Sequence, residues 1–134
     1  TANLSSEIQN KCPKGVDVYF DNTGGPINDA VMENLNINAR IAVCGVIALA
    51  DRIGKPDIGP RYWRQILVNR ATITGFLVFD FAEEFKKAEN YIWNLVEKGN
   101  FKFKEDTSDG INTMASAFLD LLHSRNFGKR LIKI

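Results

Sequence analysis

One histidine, two cysteines and no apolar stretch long enough for a bilayer: the 134-residue sequence is bounded first by what it has little of. Cys12 and Cys44 are too few for a disulfide framework, and with His123 as the sole imidazole they do not make up a zinc site. Neither charge is in excess, with 17 basic residues against 16 acidic ones. A nucleic acid or an anionic membrane selects a basic face that would show in that balance, so neither is expected as a partner. No hydrophobic run approaches the ~18–20 residues that a membrane helix needs, and the first residues lack the basic, apolar and small-residue succession of a secretory signal. These absences lead to the expectation of a soluble protein of a reducing compartment, the cytoplasm. Internal repeats and low-complexity segments are missing too, and the length suits one domain with a real core.

What is present is an alternation. Val16–Phe20 is β-branched and aromatic, as a buried strand should be. Pro26 follows two glycines, and Ile27, Ala30, Val31 and Leu35 recur at helical spacing, which puts Pro26 in a first helical turn. Arg40–Ile47 is a second apolar run, and a Gly- and Pro-bearing linker from Ala48 to Pro60 separates it from a short helix near Tyr62–Asn69. The run "ATITGFLVF" reads as a third strand. Asp80 with Glu83 three positions on reads as a capping box for a long helix striped by Phe81, Phe85, Ala88, Ile92, Leu95 and Val96 and stopped at Gly99. This β-α-β-α-β-α order predicts an α/β fold with a parallel sheet. Beyond Gly99 the character changes. Phe101–Glu105 alternates apolar and charged residues as a half-exposed antiparallel strand does, a helix carries Ile111, Met114, Ala115, Phe118, Leu121 and Leu122, and "NFGKRLIKI" closes with a turn and a strand.

The first strand ends abruptly on Asp21-Asn22-Thr23-Gly24-Gly25, and Gly45 falls within the second apolar run. In open parallel sheets ligands bind beyond the carboxyl ends of the strands, where glycine lets the backbone come close. A tight strand-to-helix turn that needs positive φ, with Asn22 as a local hydrogen-bonder, accounts for the same residues.

Four blocks, "GVDVYFDNTGG", "ARIAVCGVIA", "ITGFLVFDF" and "NFGKRLIKI", in this order and at these separations, resemble the zinc-independent medium-chain dehydrogenase/reductases, with the NADP-dependent alkenal, prostaglandin and curcumin reductases most similar. The resemblance runs from about Leu4 to Ile134. It implies the second half of a Rossmann-type doubly wound parallel sheet in residues 1–99. Residues 100–134 would then be a strand-helix-strand segment that packs on a catalytic domain absent from this sequence. The glycine-rich fingerprint G-x-G-x-x-G of such domains is not found here. The implied function is a fragment of an NADPH-dependent reductase of the double bond in α,β-unsaturated aldehydes and ketones, inactive by itself. A quinone reductase of the same superfamily, or a fragment that binds no cofactor and only self-associates, are the alternatives. A homodimer is the implied assembly.

The resemblance also assigns residues. It sets Asn22 against the cofactor, lines the nicotinamide side with Cys44, Gly45, Val46, Ile47 and Ala48, passes Phe76, Leu77 and Val78 beside nicotinamide and substrate, and brings Asn126 to the cofactor. No metal ligand and no catalytic residue is assigned. Several members carry a tyrosine eight residues before the position of Phe76, where this chain has Val68; Tyr62 is the nearest tyrosine before it. Other features read as structure: Cys44 as a small hydrophobe with no base beside it, His123 as a charge near a helix end, Lys102 and Lys104 as a solvated strand face.

Overall fold

The computed structural model describes residues 3–50, 54–123 and 125–134. They divide into two compact units, one ending at Ala82 and one running from Glu83 to Ile134.

In the first unit, helix α1 (Leu4–Lys11) precedes strand β1 (Val16–Asp21), helix α2 (Gly25–Met32), strand β2 (Leu35–Val43), helix α3 (Trp63–Asn69) and strand β3 (Thr72–Gly75). The strands lie in the order β1-β2-β3, and both pairings are parallel. Val31, Met32, Leu35, Ala39 and Ile41 form the buried core, with Ile8, Val16, Tyr19, Val43, Tyr62 and Ile66 packed against it. One face of the sheet is thereby covered by α2 and α3. On β1 the intervening side chains, Val18 and Phe20, are 60% and 61% exposed.

The second strand begins earlier and ends earlier than its apolar run suggests. Asn34 donates from Nδ2 to the Ala30 carbonyl (2.8 Å) and from its backbone to Val31 (2.9 Å), which ends α2 and sends Leu35 into the sheet instead of a further helical turn. Asn38 then takes φ +62°, and the register jumps from Val16↔Leu35 to Val18↔Arg40, a bulge at one of the few residue types that tolerate this conformation. The strand stops at Val43, and Ile47–Leu49 is a single 3₁₀ turn.

The third apolar run likewise leaves the sheet at Gly75. Val78–Glu84 is a 3₁₀ stretch kinked at Phe81 (φ −114°, ψ 24°), so the expected capping box does not form. Asp80 instead turns backward and accepts from the Leu77 amide at 2.9 Å. The Phe76 and Phe81 rings meet edge-on with centroids 5.8 Å apart, which secures the tight turn.

In the second unit, α4 (Phe85–Glu97) is followed by β4 (Glu105–Asp109), a 3₁₀ turn, α5 (Met114–Leu122) and β5 (Lys129–Lys133). Gly99 (φ +68°) stops α4 as expected, its amide on Val96 and that of Asn100 on Leu95, both at 2.9 Å. The antiparallel strand expected at Phe101–Glu105 is corrected. The strand is the polar segment Glu105–Asp109, and it pairs parallel to β5 with Asp106 opposite Arg130. A connection that contains a helix returns the chain in the same direction, whereas an antiparallel partner follows a short turn.

Candidate functional site

The register fixes where the three strands of the first unit end. Asp21 pairs with Val43, and Val43 with Gly75, so Asn22, Cys44 and Phe76 leave the sheet at one level. Main-chain bonds then lace the exits together. The Asp21 carbonyl accepts from Cys44 (2.7 Å) and Gly45 (3.1 Å), Thr23 from Ala48 (2.9 Å), and Val43 from Phe76 (3.3 Å). Asn22 is exposed, and its Oδ1 lies 2.5 Å from the point a Cβ on Gly45 would occupy. A side chain at residue 45 would push that amide out of its place.

The double glycine has a separate reason for each member. Gly24 takes φ +66°, ψ −162°, a region other residues shun, and a side chain there would meet Val46 Cγ1 at 3.3 Å. Gly25 (φ +55°) opens α2 with its Cβ position 3.1 Å from that of Ala48. The turn is therefore tight, as the structural explanation of these glycines requires, and it also leaves the Asn22 amide in solvent.

Asp21 stands in the abrupt polar end of the first strand but has no role of its own assigned from the sequence, although an acid closing an apolar strand is the available signal. It is 3% exposed, and its Oδ1 accepts from Tyr19 Oη (2.9 Å), the Thr23 amide (2.9 Å) and the Gly24 amide (2.8 Å). Burial first, then the hydrogen bond and charge of Asp21, push the Tyr19 hydroxyl above its ordinary range.

Of the other residues assigned by resemblance, Val46, Ile47, Leu77 and Val78 are exposed, Cys44 and Ala48 partly so. The Phe76 ring sits 6.0 Å from that of Phe20. Tyr62 is not among the strand exits. It packs on the core and borders a cavity of about 340 Å³ with Asp29, Asp57 and Arg61. Its hydroxyl is buried beside the Asp29 carboxylate, and burial, followed by the charges of Asp29 and Glu33 and the interaction with the Asp29 carboxylate, raises it to about 12. Val68 is exposed on α3.

Asn126 belongs to the second unit, where its Nδ2 donates to the Gly128 carbonyl (2.9 Å) and shapes the turn before β5. Gly128 (φ +92°) is pressed against the Lys104 carbonyl, so that no side chain fits. Asp106 accepts from the Phe127 amide (3.2 Å) and from Arg130 Nη1 (2.6 Å), and Lys104 Nζ stands 4.4 Å from the Phe127 ring centroid.

No protein-family model matches the chain. It is 39% identical over 132 residues to the protein YfmJ of Bacillus subtilis, a match that takes in 98% of this chain and 39% of that one. It is 30% identical over 135 residues to the NADPH-dependent curcumin reductase of Escherichia coli, covering 98% of this chain and 39% of the other. The structure of CurA from Vibrio vulnificus in complex with NADPH superposes with a TM-score of 0.83 at 30% identity, over 99% of this chain and 41% of that one. The chain thus spans about two fifths of the length of the relatives it matches. The homologues of this chain are NADP-dependent oxidoreductases of the medium-chain dehydrogenase/reductase superfamily, and it matches a segment of them in sequence and backbone.

Proposed function

We propose that this chain is the carboxyl-terminal portion of an NADPH-dependent reductase that saturates the double bond of α,β-unsaturated aldehydes and ketones without zinc. The observation that carries the reading is the common level at which Asn22, Cys44–Gly45 and Phe76 leave three parallel strands. Similarity to a reductase named for curcumin, a conjugated ketone, and to CurA, whose structure holds NADPH, supports it.

The rim suits the nicotinamide end of such a cofactor. The missing Cβ of Gly45 leaves main chain approachable beside the exposed Asn22 amide, and an amide both donates and accepts, as a ring carboxamide requires. When bound, the cofactor supplies the hydride. The residues of the first unit orient and enclose: Asn22 and Cys44–Ala48 hold the ring, and Phe76–Val78 border nicotinamide and substrate. Proton transfer is assigned to none of them. Val68 has no proton to give, and Tyr62 packs on the core. The partner in assembly is a second copy.

NADPH titration of the 134-residue chain and of a chain extended upstream by its natural coding sequence tests the reading, followed by NADPH consumption with an enal, an enone and a quinone. Binding by the extended form and turnover of the conjugated carbonyls is the expected result. Binding by neither form would sink the proposal, and turnover with quinones alone would replace its substrate.

A further inference from the structure

We infer that Asp21 is a positioning residue which, with Gly45, holds the Asn22 amide at one fixed place on the rim. The inference deepens the proposed function and rests on that reading where it concerns NADPH. Asp21 acts on Asn22 from both sides. Its carboxylate takes the amides of Thr23 and Gly24, the two residues after Asn22, while the Tyr19 hydroxyl fixes the same oxygen from within the strand. Its carbonyl takes the amides of Cys44 and Gly45 and so brings the β2 exit against Asn22. The backbone before and after Asn22 is tied to a single buried residue, and the side chain settles into the space that Gly45 leaves open.

A buried carboxylate in an otherwise apolar strand is costly unless its lone pairs are satisfied, and here three donors converge on one oxygen. Three donors on one oxygen are a strong constraint, because hydrogen bonds to an ionised acceptor are stronger than neutral ones. Gly45 needs no positive φ, so its lack of a side chain answers to the neighbouring amide and not to its own backbone.

The test uses Asp21→Asn, Gly45→Ala and Asn22→Ala, singly and as the two pairs containing Asn22→Ala, in whichever length binds NADPH as wild type. Asp21→Asn and Gly45→Ala should each weaken NADPH binding by about tenfold, as for one well-placed contact, and should weaken it no further once residue 22 is alanine. A purely structural role would give losses that add to that of Asn22→Ala. Additive losses, or unchanged affinity in both single variants, would overturn the inference. Should Asp21→Asn fail to fold, Gly45→Ala decides alone. Should no wild-type form bind NADPH, the functional reading fails separately, and the Asn22 side-chain amide NMR signals of the 134-residue chain decide: displacement in Gly45→Ala and Asp21→Asn supports the positioning role, and unchanged signals refute it.

Discussion

Tyr19 and Tyr62 share one electrostatic circumstance, a phenol held away from water near carboxylates. Both hydroxyls are raised, Tyr62 from 10.0 to about 12 and Tyr19 further, with burial the leading cause in each. A raised acid binds its proton more tightly folded than unfolded, so its contribution is intact below the ordinary value and is lost as pH climbs through the folded one. Thermal stability should therefore fall steeply between pH 10 and 12, and Tyr62→Phe should flatten that decline in a melting series against pH. Asp29 follows the same sign at the acidic end. Burial and then the charge of Asp57 raise it, so ionisation opposes folding at neutral pH. Asp29→Asn should raise the melting temperature at pH 7 and leave it unchanged at a pH low enough to protonate both states.

Between neighbouring elements, the turns are held by residues that cannot be exchanged. Gly24→Ala should cost about 2 kcal/mol in a denaturant titration, because its backbone region is nearly exclusive to glycine and Val46 already fills the space. Ile41→Ala, in the middle of the core, should cost about 3 kcal/mol by the same measurement. The sequence makes the first of these positions visible and hides others. Val16–Asp21, the start of α2 at its Gly-Pro pair and the stop of α4 at Gly99 are legible because strong local preferences agree with the fold. Leu35–Ala39 is not, since Asn36 and Asn38 break the apolar run that would mark a strand, and the bulge they form is a matter of pairing. Glu105–Asp109 is hidden for a similar reason: it has no apolar residue at all, and its strand character comes from Arg130 and its neighbours across the ladder. At the rim, Asn22 and Gly45 are readable by resemblance. Asp21 is not, because the five bonds it receives come from residues at both short and long range.

For the molecule as a whole, the exposed apolar surface is the dominant physical fact. Val18 and Phe20 on the uncovered sheet face stand more than half exposed, and Phe118, Leu119 and Leu122 on α5 do the same. Patches of this kind bind other surfaces or themselves. On the proposal that the chain is part of a longer reductase, the 134-residue form should self-associate with rising concentration in light scattering and bind a hydrophobic dye strongly. The upstream-extended form should bind less dye and settle at a defined dimer. Equal dye binding by both forms would count against that view of the uncovered face. The stitching of the rim has another outcome, which concerns redesign. Cys44, Gly45 and Ala48 are attached to the first strand exit through peptide groups and not through their side chains. Substituents at 44 and 47, whose amides bond to Asp21 and Asn22, can therefore be varied, reshaping what fits above the sheet while the scaffold beneath keeps its geometry.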